Sequence, residues 1–415
     1  MPNTPAPTGL SPADIRDAYK LPADATGAGM TVGIVVAYDA PTAEADLVHY
    51  RAQFGLAPLA AGQFKKIDQH GGTNYPAPDA GWAGEAALDV DAITSVAPAA
   101  KIVLVVANSP NFDDLGQAVN TAVAAGAEVV NNSYGTNYTS TPGSGEDASL
   151  LPVQDEYYNH PGVAIVASTG DSDYGVAFPA ASSDVTAVGG TSLVKDSSAR
   201  GWTESVWHNQ YGGPGSGCSI VFDKPAFQTD TGCSKRSLAD VSADADPVTG
   251  LSVYYTYAGD QWSQYGGTSL ASPLISGMYA LGGKPAAGSY PNSYPYAKTG
   301  ALFDVTTGSN GSCTPAYYCT AGAGYDGPTG LGTPNGFSPF AQGAHGTVSG
   351  TVTDATSGDP VAGATVTIGD QGSVQTAVDG TYSTTAAPGT YAATFAAYGY
   401  KTVIKRTSSS PTAER

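Results

Sequence analysis

A serine at the start of a predicted helix is the first residue in this chain that could do chemistry. Ser269 follows Gly266, Gly267 and Thr268 and precedes a helical run that reaches Leu281. The free amide groups and the dipole at a helix start favour negative charge that develops nearby, which suits a nucleophile. Serine is also a common N-cap residue, so this segment alone leaves a structural role open.

Two carboxylates stand four residues apart in the segment that begins at Gly81. Glu85 and Asp89 therefore project from one face of a predicted helix over 84–96, and their apolar neighbours indicate burial. Buried acids at this spacing tend to share a proton, so they could act as a general base and its orienting partner. A solvated pair on an exposed face is the alternative. Asp91 lies on a different face, and we expect it to be an ordinary aspartate.

A third candidate follows a predicted strand. Asp171 lies in the sequence Ser168-Thr-Gly-Asp-Ser, directly after an apolar run over 163–167. In open parallel sheets, ligand sites lie at the carboxyl ends of the strands, which is where this aspartate would stand. The alternative is a Gly-Asp-Ser turn with no chemical role.

Strands and helices that could position these residues alternate along the first part of the chain. Near-continuous apolar strands between amphipathic helices predict a parallel sheet that helices cover on both faces. A stretch over 251–257 is more typical of an antiparallel hairpin. The predicted strands are 31–37, 101–106, 128–132, 163–167 and 184–188, and the predicted helices are 11–19, 42–54, 84–96, 114–125, 154–160 and 269–281.

The composition limits the classes of function. Over 415 residues the chain carries 36 acidic and 17 basic side chains, a net charge of −19. Nucleic acids and anionic membranes are polyanions, so we expect neither as a partner. A low density of charge with an excess of acids also suits an acidic medium, where the carboxylates protonate.

The cysteines favour an exported protein. Four cysteines allow three disulfide connectivities, and we favour the two local pairs, Cys218 with Cys233 and Cys313 with Cys319, over free thiols. The first residues lack the basic and apolar regions of a signal peptide, and no apolar run is long enough to span a bilayer. The chain is therefore either cytosolic or the product of removing an export segment, and we expect secretion.

The pattern changes near residue 344. Period-two alternation replaces helical periodicity, and turns recur at Gly358-Asp-Pro, Asp379-Gly and Pro388-Gly, which predicts a small β-sandwich of about seven strands. This part resembles the carboxypeptidase-regulatory-like or transthyretin-like modules of secreted enzymes. We predict a peptidase-type α/β domain over 1–343, the β-sandwich over 344–406 and a disordered tail over 407–415.

From about Leu10 to Phe340 the chain resembles the sedolisin family of serine-carboxyl peptidases, which have a subtilisin-like fold. The resemblance rests on three segments that occur in the family's order: Gly84-Glu-Ala-Ala-Leu-Asp, Ser168-Thr-Gly-Asp-Ser and Gly266-Gly-Thr-Ser-Leu-Ala-Ser-Pro. It implies that Ser269 is the nucleophile, that Glu85 and Asp89 are the catalytic acids, and that Asp171 belongs to the oxyanion hole. Tyr134 stands where relatives often have Trp, and we expect it near the substrate cleft.

The resemblance also implies one structural Ca²⁺ ion late in the chain. Carboxylate and carbonyl oxygens are the ligands that this ion prefers. The five positions that match the family's calcium site are Asp304, Val305, Gly322, Gly324 and Asp326. An Asp-Gly turn without an ion is the alternative.

The function that these residues predict is a secreted, acid-acting serine endopeptidase. Its substrates would be proteins and peptides, an N-terminal prosegment would be cleaved from it, and we expect a monomer. Two alternatives remain at this point. One is a conventional Ser/His/Asp protease that uses Asp39, His70 and Ser269, and the other is a non-catalytic secreted binding protein.

Overall fold

A computed structural model describes residues 6–258, 261–343, 346–369, 373–386 and 389–409. No helix in these ranges is long and apolar enough to cross a membrane. The strands of the first part are β1 (Thr31–Ala37), β2 (Phe64–Asp68), β3 (Lys101–Ala107), β4 (Val129–Asn132), β5 (Ala164–Ser168), β6 (Thr186–Lys195), β7 (Trp202–Val206), β8 (Gly217–Asp223), β9 (Lys235–Leu238), β10 (Val241–Asp244), β11 (Leu251–Tyr254), β12 (Trp262–Tyr265), β13 (Leu302–Phe303) and β14 (Thr333–Pro334).

Six α-helices accompany these strands in the described ranges. They are α1 (Pro12–Ala18), α2 (Ala43–Gln53), α3 (Ala80–Val96), α4 (Phe112–Ala124), α5 (Leu150–Val153) and α6 (Thr268–Gly282). Helix α5 continues as a π-helical turn over Gln154–Tyr158, and short 3₁₀ helices span Pro291–Ser293, Pro295–Ala301, Ala316–Tyr318 and Ser338–Phe340. The predicted helix over 154–160 therefore begins four residues earlier than expected.

The main sheet has eight strands in the order β10-β6-β5-β4-β1-β3-β2, with β7 pairing antiparallel to β6. The other seven strands are parallel to their neighbours. The predicted parallel sheet is confirmed, and so is the antiparallel hairpin, which β11 and β12 form. The sequence pattern did not predict strands β2 and β7 to β10. Strand β2 carries two lysines, and β7 to β10 contain no clear apolar run.

Two apolar cores lie on the two faces of this sheet, because side chains alternate along each strand. In β1, Val32, Ile34 and Val36 face the core that contains α1, α2, α3 and α6. Val35 and Ala37 face the second core, which α4 and Tyr158 cover. Burial on both faces explains why these strands are apolar throughout.

Helices α3 and α6 lie side by side on the first of these faces. A Cβ atom at Gly277 of α6 would lie only 2.7 Å from Val96 Cβ of α3, so the absence of a side chain lets the two helices approach closely. This approach brings together the helix that carries the acid pair and the helix that carries Ser269.

The C-terminal part contains six strands in the described residues, where about seven were predicted. They are β15 (Gly346–Thr351), β16 (Thr365–Ile368), β17 (Ser373–Gln375), β18 (Thr381–Ala386), β19 (Gly389–Ala396) and β20 (Val403–Ser409). They form two antiparallel sheets, β15-β18 and β17-β16-β19-β20, around a small core that includes Val348, Val366 and Ile368. Strand β20 includes 407–409, which the sequence had assigned to a disordered tail, because these residues pair with β19. The rest of that tail lies outside the described residues.

Both local cysteine pairs form disulfide bonds. Cys218 is joined to Cys233 and Cys313 to Cys319, as the sequence spacing favoured.

Candidate active site

Ser269 is the second residue of α6, and it is not the cap of that helix. The N-cap is Gly267, which has φ +86°. A Cβ atom at this position would lie 2.6 Å from Asp171 Oδ2, so glycine is required both for the backbone conformation and for the close approach. The tight turn therefore brings the start of α6 against Asp171, and the N-cap interpretation of Ser269 is wrong.

Glu85 and Asp89 lie on the face of α3 that meets α6. Asp89 is fully buried, and Glu85 lies close enough to the Ser269 side chain for that hydroxyl to lower the pKa of Glu85. Glu85 Oε1 and Asp89 Oδ2 are both buried, and in the described part of the chain neither has a hydrogen-bond partner. A proton shared by the two acids would form a hydrogen bond between these two oxygens. The alternative of a solvated surface pair is wrong.

Burial raises the pKa of both acids. For Glu85, loss of hydration is the largest cause, and the Asp171 charge adds to it, whereas the nearby Ser269 hydroxyl lowers the pKa. Burial is also the largest cause for Asp89, followed by the Glu85 charge. Because each charge opposes the other, the pair holds a proton to higher pH than a free carboxyl group would.

A polar network that the sequence analysis missed holds Asp89 in place. Ser133 Oγ donates to Asp89 Oδ1 at 2.6 Å, and Asn131 Nδ2 donates to Ser133 Oγ at 2.9 Å. Asn131 Oδ1 in turn accepts from Ser272 Oγ of α6 at 2.7 Å. This chain of bonds links α3, the end of β4 and α6. The only sequence signal was a run of polar residues, Asn-Asn-Ser, at the end of an apolar strand.

Asp171 lies just beyond β5, at the carboxyl edge of the sheet as predicted. Its Oδ1 accepts from Thr268 N at 2.7 Å and from Thr268 Oγ1 at 2.8 Å. The side chain is open to solvent, yet the surrounding protein displaces enough water to raise its pKa, against the two bonds from Thr268. Its second oxygen faces Gly267, the residue two before Ser269.

The arrangement can therefore activate a hydroxyl and stabilise an oxyanion. Glu85 of the acid pair lies near the Ser269 hydroxyl, and Asp171, a carboxyl group with a raised pKa, contacts the two residues that precede Ser269. Both requirements of acyl transfer by a serine nucleophile are present in one cluster.

The alternative Ser/His/Asp scheme receives no support from the structure. Asp39 Oδ1 forms an ion pair with Lys66 Nζ at 2.5 Å. His70 is exposed in a turn, where its backbone N–H donates to Asp68 Oδ1 at 2.8 Å. Within the described ranges no hydrogen bond joins either side chain to Ser269.

Tyr134 is more buried than a residue of an open cleft. Its ring packs against Trp82 and Phe112, and its hydroxyl donates to Asn132 Oδ1 at 2.7 Å. With 8% of its surface exposed, it belongs mainly to the second core.

Asp91 is not the ordinary aspartate that we expected. Although it does face away from the pair, that side of α3 is covered by α2 and β11, and Asp91 is 1% exposed. Its Oδ2 accepts from Tyr254 N at 3.0 Å, and burial, with a smaller effect of the Asp46 charge, raises its pKa.

This burial predicts a stability effect with a definite sign. The pKa of Asp91 is higher in the folded than in the unfolded chain, so stability falls as pH rises above about 4, the usual aspartate pKa. Asp91→Asn removes that penalty, and we expect it to raise the free energy of unfolding at pH 7. In strongly acidic buffer the gain should vanish. Urea unfolding at both pH values measures it, with the exposed Asp24→Asn as control, and an equal gain at both values would contradict the argument.

The two segments that carry the predicted calcium site, 304–305 and 322–326, are in contact. Asp326 is fully buried, and its oxygens accept from Gly322 N and Thr329 N, both at 3.0 Å. Asp304 Oδ2 accepts from Gly324 N at 3.0 Å. Burial, with a smaller contribution from the Asp304 charge, raises the pKa of Asp326 to about 7. No group of three or more His, Cys, Asp or Glu side chains in the described residues could hold a metal, so any ion here would need backbone carbonyl oxygens.

Comparisons with known proteins give the family of the chain. The model of the subtilase family matches residues 69–291, more than half of the chain, and that of the carboxypeptidase regulatory-like domain matches residues 347–413. Kumamolisin from Bacillus sp. (strain MN-32) is 32% identical over 368 residues, which cover 80% of this chain and 63% of that protein. Sedolisin from Pseudomonas sp. (strain 101) is 30% identical over 363 residues, 78% of this chain and 60% of that protein.

A solved structure shares the fold. Pseudomonas sedolisin, described as a serine-carboxyl proteinase, superposes with a TM-score of 0.67 at 29% identity and covers 80% of this chain and 96% of that one. The chain spans about three fifths of the length of the curated relatives that it matches. Its first part has the subtilisin-like fold, and the chain belongs to the subtilase family, with kumamolisin and sedolisin among its relatives.

Proposed function

We propose that this chain is a serine-carboxyl endopeptidase that acts at acidic pH. The observation that carries the proposal is that Glu85, paired with the fully buried Asp89, lies close enough to Ser269 for the hydroxyl to lower the pKa of Glu85. The likeness to a serine-carboxyl proteinase supports the same reaction.

In this mechanism, Glu85 accepts the Ser269 hydroxyl proton as Oγ attacks the peptide carbonyl. Asp89, fixed by Ser133, orients Glu85 and shares a proton with it. The same group then returns the proton to the leaving amine, and water hydrolyses the acyl-enzyme by the reverse sequence. A carboxylate suits this role only where burial raises its pKa, which is the direction found for both acids.

The oxyanion is stabilised by a protonated Asp171 and by the Ser269 backbone N–H. Thr268 donates twice to Asp171 Oδ1, so Oδ2 is the oxygen left to carry the proton towards the substrate. Donors aimed at a developing negative charge are usually the largest single contribution to acyl-transfer catalysis.

A pH-resolved cleavage assay tests the proposal. On a mixed peptide library, the wild type should cleave internal peptide bonds with maximal rate below pH 7, because activity is lost as Asp171 ionises. Ser269→Ala should leave only background. A rate maximum above pH 7, or cleavage that persists in Ser269→Ala, would contradict the proposed mechanism, and release of N-terminal tripeptides alone would contradict the endopeptidase assignment.

The setting of the enzyme forms part of the same proposal. Secretion is supported by the two disulfides, which form and persist in oxidising compartments. We further propose a monomer that is matured by removal of a prosegment, with a peptidase domain over 1–343 and the β domain from 344.

A structural Ca²⁺ ion would be held by Asp304 and Asp326 with the carbonyl oxygens of Val305, Gly322 and Gly324. Two observations fit this ion. The buried Asp326 stands close enough to Asp304 for their charges to repel, and the hydrogen bonds of the described residues leave these three carbonyls without a donor. An ion would neutralise the two acids and fix the segment that closes the domain, with no part in bond cleavage.

Removal of calcium should therefore destabilise the domain. We expect a chelator to lower the melting temperature, and Ca²⁺ but not Mg²⁺ to restore it, because an irregular shell of carbonyl oxygens suits the larger ion. Asp304→Asn should weaken this response, whereas Asp359→Asn, on the exposed surface of the β domain, should not. A melting temperature that a chelator leaves unchanged would rule out the ion.

A further inference from the structure

The backbone around Asp171 cannot hold its shape without support. Gly170 has φ +96° and Asp173 has φ +62°, so two of four consecutive residues lie in the left-handed region. The segment 170–175, called the oxyanion loop here, nevertheless has to place one oxygen of Asp171 beside Gly267. Errors of about 1 Å in such a position reduce rates steeply, so the supports of this loop matter for catalysis.

Two supports of the oxyanion loop come from helix α6 and from the loop that follows β7. From α6, Thr268 Oγ1 accepts from Gly170 N at 3.0 Å and donates to Asp171. From the loop after β7, Gly215 N donates to Gly170 O at 2.8 Å and Gly213 O accepts from Asp173 N at 2.9 Å.

The third support is the side chain of Tyr138, which comes from the segment after β4. Its ring fills a slot that three glycines leave open. Ideal Cβ atoms at Gly170, Gly175 and Gly215 would lie 2.5, 2.3 and 2.9 Å from atoms of this side chain. At its end, the hydroxyl accepts from Ser172 N at 3.0 Å, and Ser172 directly follows Asp171. The side chain is 8% exposed, so the slot is nearly closed to water.

We infer that Tyr138 is a positioning residue of the oxyanion hole, which fixes the oxyanion loop so that Asp171 points at the reacting carbonyl. The inference rests on the proposed function, since it concerns the same site. A phenylalanine ring could also fill the slot, but only the tyrosine hydroxyl can accept a hydrogen bond from Ser172 N, next to Asp171. Loss of the hydroxyl should thus affect the transition state more than substrate binding.

Tyr138→Phe tests this because it keeps the ring and removes only the hydrogen bond. We expect kcat on a good peptide to fall roughly three- to tenfold, the worth of one neutral hydrogen bond, with KM little changed. A peptide aldehyde, which forms a tetrahedral adduct with a serine, should bind weaker by a similar factor. Tyr290→Phe, which removes a hydroxyl that donates to Asn159 far from Ser269, is the matched control and should behave as wild type. Melting temperatures of both variants show whether they fold.

A double-mutant cycle with Asp171→Ala separates positioning from general packing. If Tyr138 acts through Asp171, its replacement should cost little once Asp171 is gone. The same fold-loss in both backgrounds, a rise in KM with kcat unchanged, or wild-type kinetics in Tyr138→Phe would each overturn the inference. The dissociation constant of the aldehyde tests the inference even if part of a variant is unfolded, because only the folded fraction binds the aldehyde. If the wild type fails to cleave peptides at all, the proposed function fails instead, which is a different result.

Discussion

Glu85→Gln is expected to lower kcat by roughly 10⁴–10⁶-fold, the range that loss of the base or its partner costs in a serine protease triad. Glutamine has nearly the same shape and can keep the contact with Ser269, but it cannot accept the hydroxyl proton. KM should change little, because glutamine fills nearly the same space as glutamate. Steady-state kinetics on a peptide cleaved by the wild type, measured at the pH of maximal rate, give both values.

This loss should not come with a loss of stability. Burial raises the pKa of Glu85, so ionisation costs the folded state free energy as pH rises through the usual range for a glutamate. The neutral glutamine avoids that cost, and its melting temperature at neutral pH should equal or exceed that of the wild type.

Two further variants make this result specific. Glu44→Gln alters an exposed acid of α2 and should have no effect. His70→Ala should also keep full activity, because His70 lies in an exposed turn. If His70→Ala were inactive and Glu85→Gln active, a histidine would be the base and the acid pair would lose its role.

The sequence predicted the residues of this site better than it predicted their supports. Glu85, Asp89, Asp171 and Ser269 each stand in a short segment whose local pattern shows helix, turn or strand end. Ser133 and Asn131 were missed because their role depends on contact with Asp89 across the fold, more than forty positions away in the chain. No local pattern encodes such a contact.

The surroundings of Asp91 could not be predicted from the sequence either. Helical geometry correctly separated it from the acid pair, since residues two apart do not share a face. Whether that other face meets solvent or protein depends on α2 and β11, which pack there only in the folded chain. Periodicity can give the direction of a side chain, but the packing of distant elements determines its surroundings.

Asp171→Ala is expected to lower kcat roughly 10²–10³-fold at acidic pH, which is the usual cost of losing one oxyanion-hole donor. The effect should depend on pH. Only the protonated acid can donate, and the surrounding protein raises its pKa by displacing water, so the wild type keeps this donor at low pH and loses it as pH rises. The ratio of wild-type to Asp171→Ala rates should therefore shrink towards alkaline pH. The pH profiles of kcat for the two proteins measure it, with the exposed Asp113→Asn as control.

Asp171→Asn gives the sharper form of this test. Since Thr268 donates twice to Oδ1, the asparagine should place its own carbonyl oxygen there and its amide nitrogen at the position of Oδ2, facing the substrate. An amide donates at every pH, so this variant should retain activity, and the fall of kcat on the alkaline side should move to higher pH or disappear. If Asp171→Asn were as inactive as Asp171→Ala over the whole range, Asp171 would act as a charge or a proton carrier, and the oxyanion hole would need another donor.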